Sequence, residues 1–184
     1  MDLILYNPKS KNSKGNVQTH KLVRYYRKHK IPFRLKSILK IDDMRTFVDE
    51  ANHIDKIILL GGDGTINQLV NSLAHSDVRQ DIYIKKNGSG NDFLRSLKTA
   101  DTKPQHIMKY SMDQKESKYF INGCGIGIDG LVIDYVDSAQ KKGKLSYFLS
   151  TLKALFKYVP EEIHVNIDGR ELTFDKGYSV IINN

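Results

Sequence analysis

The sequence predicts an α/β fold: a parallel sheet covered by helices, followed by the start of a β-rich second lobe that is cut short. Three observations predict it. Over the first hundred residues, short apolar runs alternate with stretches of helical spacing, the rhythm of strand–helix–strand units. The run Ile57-Ile58-Leu59-Leu60 has no polar break, as expected of a strand buried on both faces. Beyond about residue 100 the rhythm stops, and the chain closes on segments that alternate apolar and polar residues.

The elements follow in order. Leu3 to Tyr6 is a short strand closed by Asn7-Pro8. Val17, Leu22, Val23 and Tyr26 then recur at helical spacing among lysines and arginines, until Ile31-Pro32 stops the helix. Phe33 to Leu39 reads as a strand, Asp42 to Asn52 as a helix, and Lys56 to Leu60 as the central strand. Ile66 to Leu73 is helical, Asp81 to Ile84 a strand and Asn91 to Leu97 a short helix. Polar, proline-containing segments at 102–105 and 112–117 mark a boundary, so the lobes are expected at 1–117 and 118–184. In the second, Tyr119 to Ile121 reads as a strand leading into a glycine-rich stretch. Gly143 to Val159 is the longest helical pattern, with an apolar stripe from Leu145 to Val159 and Lys141, Lys142, Lys144, Lys153 and Lys157 opposite it. Core packing is the first expectation for that stripe, and contact with an anionic membrane the second. Ile163, Val165 and Ile167 alternate up to Asp168-Gly169, a hairpin signal, and Tyr178 to Ile182 is a final strand.

Composition narrows the class. With 40% apolar and 27% charged residues, the 184-residue chain is globular rather than disordered. No apolar run is long enough to span a bilayer, and Asp2 with Asn7-Pro8 excludes a secretory signal. Cys124 is the only cysteine, which fits a reducing, cytoplasmic setting. The net charge of +8 is uneven: residues 1–40 hold eleven Lys/Arg against the single acid Asp2, and the remainder carries slightly more acid than base. Such a segment is either a solvated helix face or an attractor of polyanions.

The strongest local signal is Gly61-Gly62-Asp63-Gly64-Thr65, between the central strand and a helix. Open α/β sheets bind ligands at the carboxyl ends of their strands, and glycines there allow close backbone approach and positive φ angles. The amides of Gly64, Thr65 and the next turn are then expected to face an anion, aided by the helix dipole. A tight strand-to-helix turn is the plainer explanation, yet one glycine usually suffices for that. Asp63 suits such a place if it handles a metal ion, water or proton. The segment is not a Walker A loop, because no Gly-Lys-Ser/Thr follows. A second turn, Asn87-Gly88-Ser89-Gly90-Asn91-Asp92-Phe93, follows the next strand, with Asn91 or Asp92 as helix cap. The first turn, Asn7-Pro8-Lys9-Ser10-Lys11, joins them, with Lys9, Lys11 and Lys14 as nearby cations. Gly125-Ile126-Gly127-Ile128-Asp129-Gly130 spells the dinucleotide fingerprint, but no acid-ended strand follows at the required distance, so close packing is the better explanation.

Taken together, Asn-Pro-x-Ser, Gly-Gly-Asp-Gly-Thr-x-Asn, Gly-Ser-Gly-Asn-Asp-Phe and Phe-Ile-Asn-Gly-Cys-Gly-Ile-Gly-Ile-Asp resemble the diacylglycerol kinase catalytic domain family. That family includes bacterial lipid kinases and shares its phosphate loop with NAD kinases. The resemblance implies an NAD kinase/diacylglycerol kinase-like nucleotide lobe and phosphorylation of a lipid hydroxyl, most readily diacylglycerol to phosphatidic acid, with ATP and Mg²⁺. It places Asn7, Pro8, Lys9, Ser10, Lys11, Gly62, Asp63, Gly64, Thr65, Ile66, Asn67, Gln68 and Ser89 at the nucleotide, with Ser37 a weaker candidate. Asp63 is the acid expected near phosphate or metal; the metal ligands are otherwise unassigned. Lys11, Gln68 and Lys86 depart from the family's usual glycine, glutamate and proline. The family's catalytic base is an Asp in a late Asp-Gly-Glu motif, absent here, so the 184 residues alone are expected to be inactive. The implied partners are ATP, a lipid alcohol and transiently an anionic membrane, with no nucleic acid and with room for a homodimer. NAD kinase, or a non-catalytic nucleotide-binding module, are the alternatives.

Overall fold

The computed structural model describes residues 1–10, 16–51, 53–88, 91–99, 107–112, 116–139 and 144–183. They divide into two compact units, Met1–Asn122 and Gly123–Asn183.

The first unit is built on four parallel strands in the order β2-β1-β3-β4: β1 (Asp2–Tyr6), β2 (Phe33–Ser37), β3 (Lys56–Gly61) and β4 (Asp81–Lys86). Leu3, Ile4 and Leu5 of β1 and Ile57, Leu59 and Leu60 of β3 are wholly buried, which is why these apolar runs lie at the centre. Burying each such side chain stabilises the fold by roughly 1.5–3 kcal/mol. Alternation splits them between two faces. Leu3, Leu5, Ile57 and Leu59 pack with α2 (Met44–Asp49), α3 (Asp63–Leu73) and Phe93 of α4 (Asp92–Thr99). Ile4 and Leu60 pack under Tyr26 of α1 (Asn16–Lys28), whose hydroxyl donates to Asp2 at 2.7 Å. A short hairpin, β5 (Met108–Tyr110) with β6 (Lys118–Phe120), is fastened to α3 by Asn71. The Asn71 amide donates to the Tyr119 carbonyl and accepts from the Tyr119 N–H, both at 2.8 Å.

Helix α2 is shorter than the predicted span because Asp43 caps it, accepting from the Arg45 and Thr46 amides. Helix α3 begins at Asp63 rather than Ile66, so the first glycine turn is already its opening turn.

In the second unit, β7 (Gly123–Gly127) pairs antiparallel with β10 (Ser179–Asn183). β8 (Glu161–Ile167) and β9 (Arg170–Gly177) form the hairpin signalled by Asp168-Gly169, both with positive φ as a two-residue turn requires. Helix α5 (Ile128–Ser138) was not expected from the glycine-rich sequence around it. The glycines that mimic a dinucleotide fingerprint serve close packing: Gly127 has φ 107°, and a Cβ there would lie 2.5 Å from the Tyr178 carbonyl oxygen. Helix α6 (Lys144–Lys157) corrects the expectation of a buried stripe. Its buried residues are the small Ser150 and Ala154, whereas Leu145, Phe148, Leu149, Leu152, Leu155 and Phe156 are exposed, Phe156 to 84%. Small residues let two helices approach closely, and here that leaves the large apolar side chains outside. No helix among the described residues is long and apolar enough to cross a membrane.

Candidate functional site

Because β1, β3 and β4 are parallel neighbours, the loops that follow them leave one edge of the sheet side by side. The ladder runs on into those loops: the Asn7 N–H donates to the Leu60 carbonyl at 3.2 Å, and the Asn87 N–H to the Gly61 carbonyl at 3.0 Å. The three loops that the sequence expects at one edge of the sheet are thus one assembly.

Asn7 organises the first loop. Its Oδ1 accepts from the Lys9 N–H at 2.9 Å and its carbonyl accepts from the Ser10 N–H at 3.2 Å, the self-bonded turn that asparagine favours. Its Nδ2 donates to Thr65 Oγ1 at 3.0 Å, tying the loop to the first turn of α3. Pro8 and Ser10 are half-buried in the turn, and Lys9 is exposed on it.

The two glycine turns touch through their backbones. A Cβ built on Gly62 would lie 2.8 Å from the Gly88 Cα, and one on Gly88 would lie 2.4 Å from the Gly62 Cα. Asn91, at φ 60° and almost wholly buried, closes the second turn: its Oδ1 accepts from the Gly88 N–H at 2.9 Å and its Nδ2 donates to the Gly88 carbonyl at 2.8 Å. Asn91 therefore does not spend its side chain on capping α4. The cap comes from Asp63, whose Oδ1 accepts from the Phe93 N–H at 3.0 Å and whose Oδ2 accepts from the Asn91 N–H at 2.8 Å. Burial raises the Asp63 carboxyl, but the amides of Phe93, Asp92 and Asn91 and the Asn122 side chain outweigh it and hold the group below its ordinary value. Asp63 is an ionised strut between the two glycine turns. Sequence reasoning missed this, since its partners lie about 30 residues away with no local signature.

The anion-facing donors also differ from expectation. The N–H groups of Thr65 and Ile66 both bond to the Gly62 carbonyl, at 2.9 and 3.0 Å, so they are spent inside the helix. The opening amides of Asp63 and Gly64 have no acceptor among the described residues, and they are the donors a helix start leaves for a ligand. Nor do the glycines of this turn use positive φ; among the described glycines only Gly127 and Gly169 do. Gly62 and Gly88 are explained by their mutual contact. Gly64 is not: it is exposed, and a Cβ there would meet no atom of the described residues within 4 Å. A glycine in the first turn of a helix costs up to about 1 kcal/mol relative to alanine, and nothing in the protein's own packing requires it.

The remaining candidates fall into place unevenly. Ile66 is 2% exposed and its side chain belongs to the core. Asn67 has a buried Oδ1 without a partner, an amide able to serve a ligand. Gln68 is exposed on the outer side of α3. Ser37 stands beside Tyr6 at the same sheet edge, but it is buried and its Oγ accepts from the Leu39 N–H at 3.3 Å. Lys11, Lys14 and Ser89 lie outside the described residues.

For Mg²⁺ the described residues offer no cage: no group of three His, Cys, Asp or Glu comes together among them, and Asp63 is engaged with backbone amides. For phosphate the fit is better, with two open amides, a glycine that leaves space and a nearby lysine. A separate cavity of about 540 Å³ between α3, β4 and β6 is lined by Leu69, Val70, Ile82, Phe93 and Ile121, an apolar environment unsuited to a phosphate chain.

Known proteins share the family and the fold. The diacylglycerol kinase catalytic domain matches over residues 2–121. A Staphylococcus haemolyticus protein named “Putative lipid kinase” is 29% identical over 143 residues, which make up 72% of this chain and 46% of that one. A Staphylococcus aureus protein of the same description is 32% identical over 139 residues, 70% of this chain and 44% of its own. The chain thus spans about half the length of the curated relatives it matches. A diacylglycerol kinase from Bacillus anthracis has the same fold, with a TM-score of 0.59 and 23% identity over 99% of this chain and 63% of its own. A second Bacillus anthracis structure, of a “putative diacylglycerol kinase”, reaches a TM-score of 0.65 at 24% identity, over 99% of this chain and 64% of its own.

Proposed function

The chain belongs to the diacylglycerol kinase catalytic domain family, and on that premise we propose that it carries the ATP-binding part of a lipid kinase. The reaction transfers the γ-phosphoryl group of ATP to a lipid hydroxyl, with diacylglycerol as acceptor and phosphatidic acid as product. Gly64 is the observation that carries this reading. Its missing side chain serves no contact within the protein, so the space it leaves serves a ligand that approaches the α3 terminus closely.

In this reading the β- and γ-phosphates lie over the amides of Asp63 and Gly64. Asn7, Pro8, Lys9 and Ser10 flank them from one side, with Thr65 and Asn67 behind. Phosphoryl transfer needs mainly positioning and charge neutralisation, which amides and lysines supply. Asp63 sets the distance between the two glycine turns; it is a positioning residue and not the proton acceptor. Mg²⁺, where it accompanies the nucleotide, would be held mainly by the phosphates and water, the usual habit of this ion. Asp168 sits in an ordinary hairpin turn and is not assigned as the acid that accepts the lipid proton. The lipid acceptor requires the protein to work at a membrane surface from the cytoplasmic side.

The test is an assay of the full-length protein with ATP and either diacylglycerol in mixed micelles or NAD. Transfer to diacylglycerol alone is expected. Transfer to NAD, or no detectable ATP binding, would overturn the proposal.

A further inference from the structure

We infer that the outer face of α1, together with the end of β4, is a docking surface for anionic phospholipid. Helical geometry separates α1 into two faces. Thr19, Val23 and Tyr26 point into the protein and are buried. Val17, Lys21, Arg24, Tyr25 and Lys28, spaced at i, i+4, i+7, i+8 and i+11, fall in one stripe on the opposite side, and all five are exposed. The helix contains no acid, and no ion pair among the described residues engages any of its cations. Among the described residues these charges are therefore left without a counter-ion, and they make up four of the eleven cations of residues 1–40.

The stripe has a concave margin. Lys21 and Lys85 come from different elements, α1 and β4, and line one notch of about 310 Å³ with Gln18, Leu22 and Tyr25. No carboxylate lines it. Two ammonium groups, an amide and a phenol suit a phosphodiester headgroup. Val17 and Tyr25, 55% and 54% exposed, add the apolar and aromatic contacts that settle at a bilayer interface.

The choice of a bilayer over another polyanion rests on the lipid-kinase reading; the unneutralised cationic stripe does not. Docking through α1 would hold the phosphate loops, which lie at the neighbouring sheet edge of the same unit, close to a membrane-borne acceptor.

The test uses full-length protein and co-sedimentation with vesicles of phosphatidylglycerol and phosphatidylcholine, compared with phosphatidylcholine alone. Binding to the anionic vesicles only is expected, weakening as salt rises. The double variant Lys21→Gln/Arg24→Gln keeps good helix formers at exposed positions. It should lower vesicle partitioning about fivefold for each cation removed, while ATP affinity stays at the wild-type value. Lys21→Arg should bind vesicles like the wild type. Equal binding to neutral vesicles, or undiminished binding by the double variant, would overturn the inference. So would tighter retention on single-stranded RNA than on anionic vesicles at the same salt. Loss of ATP binding with vesicle binding intact would instead count against the kinase reading, so the two failures are distinct.

Discussion

Gly62 and Gly88 meet Cα to Cα, so close that a methyl group on Gly88 would lie 2.4 Å from its partner. The contact joins two turns on adjacent strands into one surface. It also gives these glycines a purpose different from the one glycine-rich loops usually suggest: they face each other.

Gly88→Ala should therefore act first on stability. Backbone cannot yield as a flexible side chain does, so overpacking of about 1–3 kcal/mol is expected, read as a lower denaturant midpoint with unchanged slope. A midpoint within error of the wild type would mean that the turns do not pack this way.

Asp63→Asn tests the strut. The variant keeps one acceptor oxygen but turns the other into a donor facing an N–H, so a loss of about 1–3 kcal/mol is expected. The pH dependence has a definite sign. The folded-state pKa of Asp63 lies below its ordinary value, so its contribution is complete above about pH 4. It is lost as the pH falls through the depressed folded value. Wild-type stability should fall over that acid range, and the fall should be shallower in Asp63→Asn. Parallel acid profiles would contradict the strut.

Helix α6 offers a paired comparison. Phe156, 84% exposed, should tolerate change to Ser with a shift within about 0.5 kcal/mol, whereas Ala154, with no exposure, should lose about 1–3 kcal/mol on change to Leu. Melting curves of the two variants check this, and the reverse order would show that the large apolar face is the packed one.

Much of this was legible in the sequence, and the exceptions have physical causes. The uninterrupted Ile57 to Leu60 run and the Leu3 to Tyr6 run became the two central strands, because burial on both faces leaves no room for polar alternation. The convergence of three loops followed from parallel topology alone. Asp63 was noticed, but its role depends on amides 28 and 30 residues away, and a carboxylate carries no mark of the partner it will find. Helix α5 was hidden because Gly125, Gly127 and Gly130 depress helical propensity around it, while contacts with β10 and Asp129 decide the outcome. The α6 periodicity identified an apolar stripe correctly, yet periodicity says which side is apolar and not what covers it. Ile66 lies within a glycine motif, yet its apolar side chain enters the core, as its hydropathy alone would suggest.

The central claim is that Gly64 leaves space for the phosphates of ATP, and Gly64→Ala tests it most directly. The added methyl meets nothing in the protein, so the melting temperature should stay the same or rise, with a gain of up to about 1 kcal/mol from better helix propensity. ATP affinity of the same full-length protein, measured by titration calorimetry, should fall at least about tenfold, the loss of roughly 1.4 kcal/mol expected when backbone approach is blocked. A variant that is equally stable and binds ATP as tightly as the wild type would contradict the claim.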